Sequence, residues 1–105
     1  MTSIFTKIIQ REIPADIIHE TDELIVIADI TPQAKTHLLI IPKKEISTIN
    51  DLEEQDRELI SNMLFTAKQI ADQRGIQAGY KLQFNVWEQW WQIVPHIHLH
   101  LLSDI

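Results

Sequence analysis

Three histidines alternate with aliphatic residues near the C-terminal end of the chain, at His96, His98 and His100. Successive side chains of a β-strand point to opposite faces of the sheet, so this spacing predicts that all three imidazoles share one face. Because the pKa of an imidazole is near neutrality, the group can act as a nucleophile, as a general acid, or as a ligand of phosphate. The spacing therefore predicts a reactive surface built from one short strand.

Two other interpretations of these histidines stay open at the level of the sequence. A His-x-His step can place two imidazoles on one zinc ion, although no nearby Cys, Asp or Glu before Asp104 obviously completes a tetrahedral site. Packing alone is the other alternative, but three histidines at strict alternation within five residues are an unusual product of packing. The interleaved Ile97 and Leu99 also argue against an expression tag.

The composition of the 105-residue chain limits the classes of protein to which it can belong. This length favours a single domain over residues 1–105. A formal net charge of −6 argues against binding of nucleic acid, which requires a basic surface. Without cysteine the chain has neither disulfides nor thiolate metal sites, and no segment approaches the ~18 apolar residues of a membrane span. We therefore expect a cytoplasmic protein whose partners include neither nucleic acid nor membrane.

Alternating and apolar segments predict five strands that would position the histidines. Residues 17–19 and 24–28 flank a polar turn and are typical of a hairpin. Residues 37–42 are apolar on both faces, as expected of a central strand, and residues 80–86 and 97–102 alternate between apolar and polar. These strands predict one mainly antiparallel sheet.

Two helices complete the predicted α+β fold. Residues 4–10 favour a short N-terminal helix, and Asn50 with Glu53 has the spacing of a capping box that would begin a long helix. Gly75 is well placed to end that helix. An apolar stripe at three- and four-residue steps runs along it, formed by Leu59, Ile60, Met63, Leu64, Ala67, Ile70 and Ala71. The long helix is therefore expected to lie across the sheet.

The segment from His96 to Leu102 resembles the defining motif of the histidine-triad (HIT) family, in which histidine alternates with hydrophobic residues and a hydrophobic pair follows. The similarity extends over nearly the whole chain, in the order found in the Hint branch of that family. The matching segments are Ile4–Phe5, Lys7–Ile9, Glu12–Ala15, Asp29–Ala34 and Thr36–Lys43, together with Asn85 and Gln92. The resemblance implies the HIT fold, usually in a homodimer whose two five-stranded sheets join into one.

The resemblance also implies an activity, the hydrolysis of nucleoside phosphoramidates or aminoacyl adenylates with purine usually preferred. His98 would attack the α-phosphorus to give a nucleotidyl-imidazole intermediate, which water would then hydrolyse. His96 and His100 would bind phosphate oxygens or assist proton transfer, and His37 would complete a four-histidine cluster. Two displacements at phosphorus need a nucleophile that is also a good leaving group, which imidazole provides with no metal or other cofactor.

The nucleotide-binding residues are likewise implied by the resemblance. Asp29 would hold the ribose hydroxyls, while Asn85 and Gln92 would contact the phosphate side. The wall of the base pocket would be formed by Phe5, Ile8, Ile13, Ile27 and Ile30. Taken without the resemblance, Asp29 is more typical of a turn or cap, and His37 is as often a buried, satisfied histidine as a functional one.

The sequence departs from the family in the loop that precedes the triad. Trp87, Trp90 and Trp91 fall where Hint proteins typically have glycine, and Ile93 replaces a hydroxyl that would serve the leaving group. Glycine in such a loop supplies positive φ or close approach of backbone N–H groups to phosphate. We therefore expect the loop to rearrange or the indoles to fill the phosphate pocket, with activity reduced or lost.

Two conformations of this loop are compatible with its residues. The spacing of Trp87, Trp90, Trp91 and Val94 is that of an apolar helical face ending before Pro95. Alternatively the loop forms a hinge or an aromatic contact patch that alters the oligomer. Three such replacements within five residues are more typical of engineering than of drift. The rival hypothesis is thus a catalytically silent HIT-fold module, natural or engineered, that assembles through its tryptophans.

Overall fold

The computed structural model describes residues 2–105, and over this range five strands and two α-helices form an α+β fold. The strands are β1 (Ile17–Glu20), β2 (Leu24–Ala28), β3 (Thr36–Pro42), β4 (Lys81–Gln83) and β5 (Leu99–Ser103). The helices are α1 (Ile4–Ile9) and α2 (Arg57–Gln73). All strand pairs are antiparallel, in the order β1-β2-β3-β5-β4. The predicted fold class and the predicted central strand are confirmed.

The sheet separates two apolar cores. The core on the α2 face, called the helix-side core, is built from alternate residues of the strands and from the stripe of α2. Its members include Leu24, Val26, Leu38, Ile40, Met63, Ala67, Ile70, Leu99 and Leu101. The core on the opposite face, called the site-side core, consists of Phe5, Ile8, Ile25, Ile27, Leu39 and Ile41. Because both faces of β3 are covered, this strand carries apolar residues without alternation.

The predicted start of the long helix at Asn50 is wrong. Residues Ile49–Asp51 form a separate 3₁₀ turn, and α2 begins only at Arg57. The reason lies in Asp56, whose buried carboxylate accepts hydrogen bonds from Lys44 Nζ at 2.7 Å and from the Glu53 backbone N–H at 2.9 Å. Asp56 thereby forms a capping box with Glu53 on the 3₁₀ turn Glu54–Asp56, and this turn leads directly into α2.

The predicted end of α2 at Gly75 is confirmed. Gly75 has a φ of +71°, and its N–H donates to the carbonyl of Asp72 at 3.2 Å, while the N–H of Ile76 donates to Ala71 at 3.0 Å. These bonds satisfy carbonyls that the helix leaves open at its last turn. Glycine accepts this left-handed backbone without the cost that a side chain would add.

The two C-terminal strands are shorter than predicted, which matters for the histidines. β4 stops at Gln83, whose last partner is His100, and β5 begins only at Leu99. The N–H of Ile97 donates to the carbonyl of Ile46 at 2.8 Å rather than to a neighbouring strand. His100 therefore lies within a strand, whereas His96 and His98 precede it.

Within residues 2–105, neither helix has the length and hydrophobicity that crossing a bilayer requires.

Candidate active site

The four predicted histidines lie together on the face of the sheet that α1 covers. The ring centroids of His98 and His100 are 5.0 Å apart, and those of His37 and His100 are 5.3 Å apart. Phe5 of α1 meets His98 edge to face at 5.0 Å and His96 at 5.8 Å. The alternating histidines thus share one face of the sheet, as predicted. Of the triad, only His100 is paired with neighbouring strands.

His98 is held in one tautomer by its own neighbour. Its Nδ1 lies 2.7 Å from the backbone carbonyl oxygen of His96, and a carbonyl can only accept, so Nδ1 carries the hydrogen. Nε2 therefore keeps its lone pair and has no hydrogen-bond partner among the described residues. Burial lowers the pKa of His98, which keeps the ring neutral at neutral pH. A neutral imidazole with a free Nε2 is the form that can attack phosphorus.

His96 is fully buried, and both of its ring nitrogens are occupied. Nε2 donates to the carbonyl of Pro42 at 2.7 Å, so Nδ1 must be the acceptor and receives a hydrogen bond from Ser3 Oγ at 2.6 Å. Burial lowers the pKa of His96 as well. This arrangement leaves His96 no nitrogen for the phosphate contact that the resemblance implies. Ser3 was missed by sequence reasoning, although a serine directly before a helix is a recognisable N-cap.

His37 and His100 form a directional pair. The backbone N–H of Gln33 donates to His37 Nδ1 at 3.1 Å, so His37 Nε2 carries the hydrogen and donates to His100 Nδ1 at 3.0 Å. The hydrogen of His100 must then lie on Nε2. Burial, followed by the nearby His98 and His37, lowers the pKa of His100 to about 4. His100 is therefore a neutral N–H donor at neutral pH.

Asp29 has one carboxylate oxygen in a turn and the other facing the histidines. Oδ1 accepts from the N–H of Thr31 at 2.9 Å and from its hydroxyl at 3.2 Å, which is the turn interaction that the sequence favoured. Oδ2 lies 3.4 Å from His37 Nε2. The turn therefore fixes Asp29 at the border of the histidine cluster.

Asp29, His37 and His100 also offer three atoms within 4.8 Å of one another that could hold a metal ion. Metal binding would need the lone pair of His37 Nε2, and this nitrogen carries a hydrogen while Gln33 N–H occupies Nδ1. The zinc alternative based on His-x-His meets the same obstacle in both steps: at His96 both nitrogens are engaged, and at His100 Nδ1 accepts from His37 while Nε2 carries the hydrogen. The donor set fits a chain of hydrogen bonds better than a metal site.

Four of the five residues predicted to wall the base pocket lie on the same face as the histidines. Phe5, Ile8 and Ile27 belong to the site-side core, and Ile13 packs against it. Ile30 does not join them, because its side chain is 92% exposed. The turn at Asp29 directs Ile30 toward solvent in this structure.

The Trp loop, residues 85–95, keeps the backbone geometry that favours glycine. Trp87 has a φ of +71° and Trp91 a φ of +63°, and between them lies a single 3₁₀ turn, Glu88–Trp90. The left-handed Trp91 ends that turn, so the predicted helical face ending before Pro95 is wrong. The left-handed helical geometry of Trp91 costs about 1 to 2 kcal/mol. Trp87, with a ψ of 160°, lies in a region essentially restricted to glycine, at a cost of about 1 to 3 kcal/mol. The loop therefore stores strain instead of rearranging to relieve it.

Two amide side chains hold the Trp loop in place. Gln92 is buried and accepts from the N–H of Trp87 at 2.8 Å, while its amide donates to the carbonyls of Ser47 and Val94. Asn85 Nδ2 donates to the carbonyl of Trp90 at 3.0 Å. Both residues were predicted to contact nucleotide, and here both serve the loop itself.

The indoles of the Trp loop are exposed to solvent. Trp87, Trp90 and Trp91 are 54%, 69% and 70% exposed, and Trp90 meets Trp91 edge to face at 5.6 Å. Trp87 and Trp91 border an open hollow of about 460 Å³ beside Ser47. At this exposure the indoles do not fill a pocket, contrary to one of the two expectations from the sequence.

Comparisons with known proteins show which proteins this chain resembles in sequence and in fold. A family model described as "Scavenger mRNA decapping enzyme C-term binding" matches residues 2–105. The purine nucleoside phosphoramidase of Escherichia coli (strain K12) is 46% identical over 102 residues, which cover 96% of this chain and 86% of that protein. The crystal structure of a HIT family hydrolase from Legionella pneumophila Philadelphia 1 superposes with a TM-score of 0.96 at 50% identity, covering 99% of this chain and 94% of that one. A histidine triad protein from Clostridium difficile gives a TM-score of 0.92 at 30% identity, covering 97% and 90%.

Proposed function

The chain belongs to the histidine-triad family, and from that premise we propose that it is a hydrolase that cleaves the phosphorus–nitrogen bond of purine nucleoside phosphoramidates. The observation that carries the proposal is the tautomer of His98, whose Nε2 lone pair is free while Nδ1–H is bonded to the carbonyl of His96. A relative with 46% identity is named a purine nucleoside phosphoramidase, which supports the choice of substrate class. Aminoacyl adenylates would present the same nucleotidyl group to His98 and form a second substrate class.

In the first displacement, the lone pair of His98 Nε2 attacks the α-phosphorus, a P–N bond to the imidazole forms, and the bond to the amine breaks. The amine leaves with the bonding electron pair and takes up a proton from solvent water, because Ile93 offers no hydroxyl at this position. The imidazole becomes cationic as it bonds to phosphorus, and its Nδ1–H, 2.7 Å from the His96 carbonyl oxygen, donates more strongly to that oxygen as the charge develops. The carbonyl therefore stabilises the intermediate more than the free enzyme.

In the second displacement, water attacks the same phosphorus and releases a proton to solvent as the bond to Nε2 breaks. The electron pair of that bond returns to Nε2, so His98 regains its starting tautomer and the nucleoside monophosphate is released. His100 donates its Nε2–H to a phosphate oxygen in both steps, since its other nitrogen is occupied by His37. A neutral donor at this position helps to bind the anionic phosphate without making His98 less nucleophilic. Asp29 Oδ2 faces the same cluster and would bind the ribose hydroxyls.

Mass spectrometry of quenched reactions tests the proposal. With adenosine 5′-phosphoramidate we expect turnover and a transient adenylyl adduct on the protein, both absent in His98→Ala. His19→Ala is the matched control, because His19 is exposed on β1 and away from the cluster, and it should keep both signals. Failure to detect either turnover or adduct in the unsubstituted protein, even with glycine restored at positions 87, 90 and 91, would remove the proposal.

The exposed indoles favour a second candidate, an assembly module that uses the Trp loop and turns over slowly or not at all. We propose that the basic unit is a homodimer that extends the sheet, and that Trp87, Trp90 and Trp91 either leave it unchanged or build a larger oligomer. Light scattering after size exclusion separates these cases. An oligomer that is larger than a dimer, and that reverts to a dimer in a Trp90→Gly, Trp91→Gly variant, supports the assembly-module hypothesis.

A cytoplasmic location is also part of the proposed function, because the cysteine-free sequence favours it.

A further inference from the structure

The hydroxyl of Ser3 makes a short hydrogen bond to His96 that a helix cap does not need, and this bond is much shorter than its 3.4 Å contact with the hydroxyl of Thr6. Ser3 Oγ accepts from the N–H of Thr6 at 3.1 Å, which is the ordinary capping interaction at the start of α1. The same hydroxyl donates its hydrogen to His96 Nδ1 at 2.6 Å, across 93 residues of chain. Ser3 is itself buried, at 7% exposure, so this contact is shielded from competing water.

Glu45 holds Ser3 in position from the segment that follows β3. Its Oε1 accepts from the backbone N–H of Ser3 and from the hydroxyl of Thr6, both at 2.7 Å. Ser3 is thus fixed by its backbone, by the helix that it caps and by the ring that it contacts. Because both the backbone and the hydroxyl of Ser3 are held, the hydroxyl has little freedom to rotate away from His96.

The hydrogen bond between Ser3 and His96 is linked to His98 by one residue, His96 itself. Ser3 and the Pro42 carbonyl hold the two nitrogens of the His96 ring, so the ring and its backbone cannot turn independently of them. The carbonyl of that same residue accepts from His98 Nδ1 at 2.7 Å. Phe5, two residues after Ser3, meets the rings of both His96 and His98 edge to face. Helix α1 therefore touches the proposed nucleophile directly and also orients it indirectly.

We propose that Ser3 is a positioning residue, whose hydroxyl acts through His96 to fix the orientation and tautomer of His98. The inference rests on the proposed function for its kinetic consequence. It also links two parts of the site, because the helix that Ser3 begins carries Phe5 and Ile8, which lie in the proposed base wall. Correct seating of α1 then becomes a condition for a correctly aimed His98.

Three substitutions separate this role from simple capping. Ser3→Ala removes both the capping acceptor and the donor to His96. Ser3→Asp keeps a good capping acceptor but has no hydrogen to donate at neutral pH. Ser3→Thr keeps both functions. The matched control is Thr48→Val, which removes another buried hydroxyl, one that has no hydrogen-bond partner in the part of the chain that the structure describes.

The kinetic expectation is a loss of kcat by about tenfold to a hundredfold in Ser3→Ala and Ser3→Asp, because a misaimed nucleophile slows the displacement. KM should stay within about twofold, since Ser3 does not touch the substrate. Ser3→Thr should recover most of the lost kcat, and Thr48→Val should match the unsubstituted protein. If Ser3→Asp performs as the unsubstituted protein while Ser3→Ala is impaired, Ser3 is only a cap and the proposal is wrong.

Nitrogen-15 NMR of the imidazoles gives a readout independent of turnover. The unsubstituted protein should show hydrogen on Nε2 of His96 and on Nδ1 of His98, and Ser3→Thr should show the same. Ser3→Ala and Ser3→Asp should lose the His98 tautomer preference. If Ser3→Ala and Ser3→Asp fold and keep hydrogen on Nε2 of His96 and on Nδ1 of His98, the proposal is overturned. This holds even if the protein proves not to be a phosphoramidase. Absence of turnover with the expected tautomer changes would instead defeat only the proposed function.

Discussion

The histidine cluster and the Trp loop are adjacent in sequence and opposite in physical character. His96 and His98 are buried, and their hydrogen bonds define which nitrogen carries the hydrogen in each ring. In the Trp loop the large side chains are exposed, and Trp87 and Trp91 adopt backbone angles that favour glycine. Three of the four ring nitrogens of His96 and His98 have a hydrogen-bond partner, because buried polar atoms require one, whereas the exposed indole N–H groups can bond to water.

This difference shows where the chain can tolerate change. A buried imidazole cannot be altered without leaving its partners unsatisfied, so the reactive surface is rigid. The loop is instead held through its backbone by Gln92 and Asn85. Unusual side chains at Trp87, Trp90 and Trp91 are therefore tolerated, provided that these interactions offset the backbone strain. We therefore expect substitutions to have large effects in the cluster and small effects in the loop.

The largest expected effect is the loss of stability in His96→Ala. This change removes a fully buried ring and leaves the hydroxyl of Ser3 and the carbonyl of Pro42 without their partner. We expect the free energy of unfolding to fall by about 3 kcal/mol or more. Trp90→Ala, a truncation of an exposed aromatic ring, should change it by about 0.5 kcal/mol at most. Urea denaturation measures the free energy of unfolding of both variants. Equal losses would contradict the expected difference between the cluster and the loop.

The next effect is a loss of stability on acidification. The pKa of His100 is about 4 in the folded protein, against 6.5 in the unfolded chain. Between these values the unfolded chain binds a proton that the folded protein does not, so the stabilisation is complete above pH 6.5 and is lost as the pH falls toward 4. For His100 alone this pKa difference corresponds to about 3.4 kcal/mol, and solvent screening of the partly exposed ring reduces the expected loss to about 2 kcal/mol.

The pH effect is measured by urea denaturation at several pH values. His96 and His98 also have lowered pKa values and add to the slope in the same direction. His100→Gln should flatten the dependence between pH 6.5 and 4. An unchanged slope in that variant would show that His100 does not contribute to the pH dependence.

The smallest effect is a gain of stability from glycine in the Trp loop. Trp87→Gly and Trp91→Gly should each raise the free energy of unfolding by about 1 kcal/mol, because glycine adopts positive φ without steric cost. Trp90→Gly is the matched control: Trp90 is equally exposed but lies inside the 3₁₀ turn and has no positive φ. That variant should be neutral or slightly destabilised. A gain at position 90 equal to that at 87 and 91 would refute the assignment of strain.

Several features of the fold were predictable because they depend on local patterns. The apolar run of β3 predicted a central strand, and Gly75 predicted the end of α2, since each pattern reflects one simple requirement of burial or backbone geometry. The start of α2 was not predictable in this way. Asn50 and Glu53 have the spacing of a capping box, but Lys44 binds Asp56 from outside the local sequence and favours the later start.

The sequence by itself determined that three imidazoles would share a face, because alternation in an extended segment leaves no other arrangement. Only the tertiary structure decided what each imidazole can do. The tautomer of His98 is set inside the motif, by the carbonyl of His96. The tautomers of the other histidines depend on Ser3, Pro42 and Gln33, which are remote from the triad or act on it through His37. The position of a hydrogen on an imidazole depends on which atoms approach its two nitrogens, and that is fixed by folding rather than by spacing along the chain.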